Sequence, residues 1–260
     1  MTALLTHSAL LTQRSLRTLM RQPAFLLITL IQPVIWLLLF GQLFKSVVSI
    51  PGFSGGGGSY LEFLTPGVVA MTALFSAAWA GTVYIEDMNL GVMDRMLASP
   101  VKRGAMMNGT LAYQSITAIV QTTIIIAIAY AAEARFASPL TGIVLTFAVA
   151  VLLTVVFAAM SNAVALLVRQ QEALIGISQM LSLPLTFLSS SVMDPRLAPS
   201  WIQTASQYNP LDWAVVVSRQ ALSASPDWGA VWPRLGALTV LALVMGWLAT
   251  RAFRTYQRSV

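Results

Sequence analysis

The sequence predicts an all-α integral membrane protein with six transmembrane helices. Hydrophobic residues make up 57% of the 260 residues and charged residues only 9%, whereas soluble domains average roughly 25% charged residues. So few charges cannot build a polar surface, and most of the surrounding solvent must therefore be lipid. Six apolar runs have about the 20 residues that a helix needs to cross roughly 30 Å of hydrocarbon. They are 24–44, 64–84, 111–132, 141–168, 174–191 and 235–253.

The segment ahead of the first run, residues 1–23, predicts an amphipathic helix on the inner membrane interface. Its apolar side chains oppose Arg14, Arg17 and Arg21 at helical spacing. These arginines either face lipid phosphates or a cytoplasmic partner, or are ordinary basic residues that flank the first span. The sequence leaves both interpretations open.

Basic residues set the expected orientation, because Lys and Arg are retained on the cytoplasmic side during insertion. With the N-terminus inside, that side receives ten of the 15 basic residues. They are Arg14, Arg17, Arg21, Arg95, Lys102, Arg103, Arg169, Arg251, Arg254 and Arg258. Both termini are therefore expected in the cytoplasm, and the net charge of +6 fits an anionic inner leaflet rather than nucleic acid.

The spans themselves carry almost no ionisable side chains, only uncharged polar ones such as Gln32, Gln121 and Asn162. These amides either form interhelical hydrogen bonds or line a substrate pathway. The lack of buried charge argues against a proton-coupled transporter or an ion channel. Cysteine is absent and His7 is the single histidine, so we expect no metal site and no His-based catalysis within the membrane.

The loop between the second and third runs, residues 85–105, alternates charged and large apolar side chains. Its apolar residues recur at a spacing of 3 or 4: Leu90, Met93, Met96 and Leu97. This spacing predicts a short helix over about 90–98 with one apolar edge, which Pro100 ends. Such a helix docks in a groove of another protein or rests on the bilayer surface, and the spacing decides between neither.

A second informative region, residues 192–230, separates the last two runs. Pro195, Pro199 and Pro210 prevent one continuous helix, yet the segment is too apolar for a free aqueous loop. Short helices that re-enter the outer leaflet fit best, and they would cap the outer end of a pathway. The candidate cap residues are Pro184, Phe187, Trp201, Asn209 and Pro210. The tryptophans here are interfacial anchors or ligand contacts.

The loop resembles the type-2 ABC transporter permeases, especially the branch of the daunorubicin/doxorubicin resistance permeases. That branch carries a pattern like D-x(3)-G-x(3)-R-x(4)-P-[VI]-x-R after its second span. The matching residues here are Asp87, Gly91, Arg95, Pro100, Val101 and Arg103. The family's P-L-x-F-x-S, P-x-W and N-P-L elements are similar to 184–189, 199–201 and 209–211. One departure is Asn89, at a position where the wider family often has a second acidic residue.

The resemblance implies that the loop is a coupling helix, seated in a cleft of a separate nucleotide-binding subunit. Asp87 and Arg95 would hold the loop or touch the ATPase, and Gly91 would permit a tight helix start. Met93, Met96 and Leu97 would fill the cleft. The expected coupling residues are thus Asp87, Gly91, Met93, Arg95, Met96, Leu97, Pro100 and Arg103.

At the level of function, the resemblance implies a single permease domain, residues 1–260, in a bacterial cytoplasmic membrane. It would pair with a second permease chain, identical or not, and with ATPase subunits. ATP and Mg²⁺ would bind those subunits, because this chain has no Walker A motif. The expected cargo is an amphiphilic drug-like or lipidic molecule; a cell-surface glycan or lipid-linked polymer is the alternative. A non-transporting scaffold is a third hypothesis, and an intramembrane enzyme lacks the necessary constellation.

Overall fold

The computed structural model describes residues 2–21, 23–44, 59–98, 103–192 and 198–256. Regular secondary structure in these ranges is helical throughout. The elements are α1 (Thr2–Arg21), α2 (Pro23–Ile35), a π-helical segment (Trp36–Phe40), α3 (Gly41–Leu43), α4 (Tyr60–Ala78), α5 (Thr82–Asn89), α6 (Val92–Ala98), α7 (Arg103–Ala131), α8 (Pro139–Val168), α9 (Gln171–Phe187), α10 (Ser200–Gln207), α11 (Pro210–Leu222) and α12 (Trp228–Tyr256).

Each of the six predicted apolar runs falls on helix. Four helices in the described ranges are long and apolar enough to cross a membrane: Tyr60–Asn89, Gly104–Ala131, Leu140–Val168 and Trp228–Phe253. The first run corresponds to the shorter apolar helix Leu27–Leu43, and the fifth to α9, which has 17 residues. Four spans are therefore observed by length and composition, and the full set of six stays a prediction.

Helix α8 is the centre of the fold, packed against α4, α7, α9, α11 and α12. Its buried side chains, Val149, Leu153, Val156 and Phe157, belong to the larger of two hydrophobic clusters. The smaller cluster joins α5 and α6 to α7, α8, α9 and α12. The predicted loop helix is thus attached to the bundle through its own apolar core.

The amphipathic helix α1 packs along α7. Thr12 donates a hydrogen bond from its hydroxyl to the Gly109 carbonyl at 3.2 Å. A Cβ on Gly109 would lie 2.9 Å from the Leu11 Cβ, so the glycine allows the two helices to approach closely. The apolar side of α1 is therefore covered partly by the protein itself.

Prolines mark the starts of α10 and α11, as predicted for the segment between the last two runs, whereas another proline lies inside α9. Pro199 precedes α10, and Pro210 is the first residue of α11, where its missing N–H costs no helical hydrogen bond. Pro184 lies within the last turn of α9, which continues through it to Phe187.

Candidate coupling site

Two short helices, α5 and α6, form the segment predicted to couple. Gly91 separates them with a φ of +64°, the left-handed region that favours glycine. A Cβ on Gly91 would meet nothing within 4 Å, so the backbone angle and not space calls for glycine here. The predicted tight turn before α6 is present.

This turn corrects the predicted apolar edge. Leu90 ends α5 and is 62% exposed, whereas Met93 on α6 is 0% exposed. Met93 packs inward with Tyr84 and Met106 in the smaller cluster. Met93 is therefore covered by the protein itself, because the left-handed residue between Leu90 and Met93 sends their side chains to opposite sides.

Asp87 is held against the N-terminal helix. An Arg14 guanidinium nitrogen donates to an Asp87 carboxylate oxygen at 3.0 Å, with the side chains 51% and 14% exposed respectively. The other guanidinium nitrogen lies 3.8 Å from the Met96 sulfur. Arg14, for which the sequence left both interpretations open, links α1 to α5 and α6.

Arg95 closes the turn between the two helices. Its Nε donates to the Gly91 carbonyl at 3.3 Å, and one guanidinium nitrogen donates to the Leu90 carbonyl at 3.4 Å. These are the carbonyls at the end of α5, where a cation is favoured by the helix dipole. Of the two predicted roles for Asp87 and Arg95, the geometry fits holding the loop.

The outward surface of the segment is small and mixed in character. Glu86, Asn89, Leu90, Asp94 and Arg95 are exposed on it. The side chains of Leu97 and Arg103, and residue Pro100, lie outside the described residues. Among the described residues, this surface therefore presents the large apolar side chain of Leu90 beside charged side chains.

At the opposite end of the bundle, Asn209 organises the predicted cap. It is 3% exposed, and its Oδ1 accepts from the Leu211 N–H at 3.0 Å, which caps α11. Its Nδ2 donates to the Leu185 and Leu188 carbonyls at 2.7 and 3.2 Å. One buried amide thus joins the end of α9 to the start of α11. By contrast, Pro184, Phe187 and Trp201 are exposed.

Two charged residues on α11 hold the same connection. Asp212 accepts from the Ser190 N–H at 2.7 Å, and Arg219 donates to the Ser190 carbonyl at 2.8 Å. Arg219 also donates to the Phe63 carbonyl at 3.1 Å and lies over the Phe63 ring, 3.7 Å from its centroid. Burial raises the pKa of the Asp212 carboxyl, while the hydrogen bond from Ser190 and the charge of Arg219 oppose that shift.

The three candidate pathway amides occupy different environments. Gln121 is buried and its Nε2 donates to the Thr29 hydroxyl at 3.4 Å, between α7 and α2. Asn162 is buried in α8 with its Nδ2 3.5 Å from the Met107 sulfur. Gln32 is exposed. Gln121 therefore fits the interhelical interpretation.

The sequence matches the model of one protein family, the ABC-2 type transporter, over residues 6–223. The chain belongs to the ABC-2 type transporter family. It is a multi-pass membrane permease subunit, as the four apolar helices in the described part of the chain also indicate.

Several curated proteins are similar to this permease. The putative transport permease ycf38 of Cyanophora paradoxa is 28% identical over 207 residues, covering 79% of this chain and 70% of its own length. The daunorubicin resistance permease DrrB1 of Streptomyces coeruleorubidus is 25% identical over 236 residues, covering 89% and 80%. The probable multidrug permease YbhR of Escherichia coli K12 is 26% identical over 197 residues, covering 75% of this chain and 53% of its own. The resemblance to the daunorubicin resistance branch is confirmed.

Sequence reasoning missed several residues that shape this permease. Asp212 and Arg219 were not among the predicted site residues, although their spacing of two helical turns on α11 places them on one face. Ser161 and Ser178, whose hydroxyls bond to the end of α4, gave no local signal because their partner lies 83 and 100 residues away.

Proposed function

We propose that this permease is the transmembrane subunit of an ATP-driven exporter, and that the exposed face of α5 and α6 is its contact with a separate ATPase subunit. One observation carries the proposal. A small surface, apolar at Leu90 and charged at Glu86 and Asp94, is presented by a loop that the protein itself holds firmly. A loop that only rested on lipid would need no such bracing.

The bracing comes from three directions. Arg14 binds Asp87 from α1, Arg95 closes the turn, and Met93 anchors α6 in the smaller cluster. A force applied to Leu90 or Asp94 is therefore transmitted to α1 and to the bundle instead of being absorbed by the loop. This stiffness is what the coupling of ATP hydrolysis to a membrane pathway requires.

The rest of the assembly follows from this assignment. Helix α4 has 19 residues, about 28 Å of length, which crosses most of a bilayer before the chain reaches α5. With α2 and α9 as the two further crossings, both termini and α6 lie on the cytoplasmic side of a bacterial inner membrane. A second permease chain, identical or not, completes the pathway, with ATP and Mg²⁺ bound by two ATPase subunits.

We propose an amphiphilic drug-like or lipidic cargo. The printed names of two similar proteins, a daunorubicin resistance permease and a multidrug permease, support this class. A permease for a cell-surface glycan or lipid-linked polymer shares the architecture and is the second candidate. Stimulation of the complex's ATPase by daunorubicin, against an undecaprenyl-linked glycan as comparison, separates the two classes.

The interface is tested by purifying the tagged permease from its host in detergent and assaying co-purifying, vanadate-sensitive ATPase activity. The variant pair Leu90→Ser and Asp94→Lys changes the exposed face without touching the bracing residues. Matched controls are Leu140→Ser and Glu133→Lys, which alter exposed residues at the far end of α7 and the start of α8. We expect a loss of about tenfold or more for the test variants only, the effect of about 1.4 kcal/mol of binding energy. Equal recovery of ATPase from all four variants contradicts the proposal.

A further inference from the structure

The helical hydrogen bonding is interrupted between α4 and α5, at residues 79–81. The Thr82 N–H donates to the Trp79 carbonyl at 3.1 Å, whereas a continuous α-helix would direct it to the Ala78 carbonyl. The Ala80 N–H donates to the Ala77 carbonyl at 3.0 Å. In a continuous helix that carbonyl would accept from the Gly81 N–H. The break thus frees one buried carbonyl, of Ala78, and one buried N–H, of Gly81.

Two serines from other helices satisfy these freed groups. The Ser161 hydroxyl on α8 donates to the Ala78 carbonyl at 2.6 Å and accepts from the Gly81 N–H at 3.0 Å. The Ser178 hydroxyl on α9 donates to the same Ala78 carbonyl at 2.8 Å. Ser161 and Ser178 are 2% and 5% exposed. Without them the break would leave unpaired polar backbone in an apolar interior, which is costly.

Gly81 brings the backbones themselves into contact. A Cβ on Gly81 would overlap the Ser161 carbonyl oxygen and lie 2.8 Å from the Ala165 Cβ. Its φ is −69°, so the glycine is required by space and not by backbone angle. The start of α5 therefore rests directly on α8 and cannot shift without moving it or breaking these hydrogen bonds.

The break lies between the proposed coupling surface and the helices of the bundle. On one side, α5 carries Asp87 and leads to α6. On the other, α9 runs from Ser178 toward Leu185 and Leu188, whose carbonyls bond to Asn209 in the cap. A displacement of α5 thus has a continuous hydrogen-bonded route to the far end of the bundle.

We infer that Ser161 and Ser178 form a joint through which movement of α5 is passed to α9, and that both are positioning residues for ATP-driven transport. The inference rests on the proposed function, since it takes the ATPase as the source of the movement. The serines act through the backbone groups of Ala78 and Gly81 that they bind.

The test uses the whole complex of permease and ATPase, with single cysteine probes, since the native chain has no cysteine. A fluorescent label at Val83→Cys, outside the proposed ATPase contact, reports α5, and one at Leu183→Cys reports α9; both positions are exposed. Trapping with ATP and vanadate should change both signals in the otherwise native complex. In the Ser161→Ala/Ser178→Ala background we expect the change at 83 to persist and that at 183 to fall about tenfold, as the loss of buried hydrogen bonds implies.

Ser115→Ala is the matched control, because that hydroxyl bonds only within α7, to the Leu111 carbonyl at 2.8 Å, and it should retain both signals. If the double variant fails to assemble, Ser178→Ala alone keeps the Ser161–Gly81 bond and should lose part of the signal at 183. Undiminished signals at both positions in the serine variants overturn the joint alone. No response at 83 in the native complex overturns the proposed function and this inference with it.

Discussion

Arg14 and Asp87 lie 73 residues apart in the sequence and meet at 3.0 Å, joining the N-terminal helix to the predicted coupling segment. The pair adds a link from α1 to α5 to the packing of α1 along α7. It also places Asp87 in the internal support of the loop, which leaves Leu90 and Asp94 as the proposed surface for a partner. Two features that the sequence presented as separate are thus one structural unit.

Breaking that pair should loosen α1. Arg14→Ala removes an ion pair that is half exposed, so the expected cost is about 0.2–1 kcal/mol. Amide hydrogen exchange in α1 should become roughly 1.5- to 5-fold faster by that free energy. Arg17→Ala, at an exposed position on the same helix, should leave the exchange unchanged.

The charge-swapped variant Arg14→Asp/Asp87→Arg provides the complementary check of this pair. It restores an attraction with the signs reversed and should recover part of the lost protection. Equal acceleration of exchange by Arg14→Ala and Arg17→Ala would show that the pair does not hold α1.

Gly67→Ala should destabilise the permease. A Cβ at residue 67 would overlap the Ser191 carbonyl oxygen, and overpacking of this kind costs typically ~1–3 kcal/mol. Gly246→Ala is the control, because nothing lies within 4 Å of its added Cβ; it should be neutral or slightly stabilising through helix propensity. Thermal unfolding in detergent measures both. A Gly67→Ala protein as stable as Gly246→Ala would refute the close contact of α4 with residue 191.

The cap should depend on the Asp212 side chain as a hydrogen-bond acceptor. Asp212→Ala leaves the buried Ser190 N–H without its partner, at an expected cost of about 1–3 kcal/mol. Asp212→Asn retains an oxygen in that place and should cost less. Limited proteolysis of the 186–192 connection, together with the melting temperature, ranks the two variants. Equal losses in the two variants would mean that charge, and not the bond to Ser190, matters at this position.

Gln121 should act in packing and not in transport. Gln121→Leu removes the hydrogen bond to Thr29, and interhelical bonds in membranes average about 0.6 kcal/mol. The melting temperature should fall slightly, with Thr29→Val giving a similar fall and the double variant no additional one. A large change in the ATPase activity of the complex, with stability intact, would instead place this amide on the pathway.

The sequence predicted those features that depend on composition or on neighbouring residues. Apolar run length located the four long apolar helices, proline positions set the starts of α10 and α11, and Gly91 marked the turn before α6. These signals are local, because backbone conformation and membrane insertion are decided within a few turns of chain.

Contacts between distant segments were beyond the same reasoning. Periodicity grouped Leu90 with Met93, but the turn at Gly91 sends one outward and the other into the core. Periodicity identifies side chains that share a helix face and not what covers that face. Ser161 was unremarkable in sequence because its role depends on a helix break about 80 residues away.

Site-specific photocrosslinking at Leu90 tests most directly whether α5 and α6 contact an ATPase. A benzophenone amino acid at residue 90, with the same residue at exposed Val240 on α12 as control, is irradiated in native membranes. The account predicts a crosslink from residue 90, and none from 240, to a protein that hydrolyses ATP, identified by mass spectrometry. Crosslinks from residue 90 to lipid alone, from a folded and abundant permease, would contradict it.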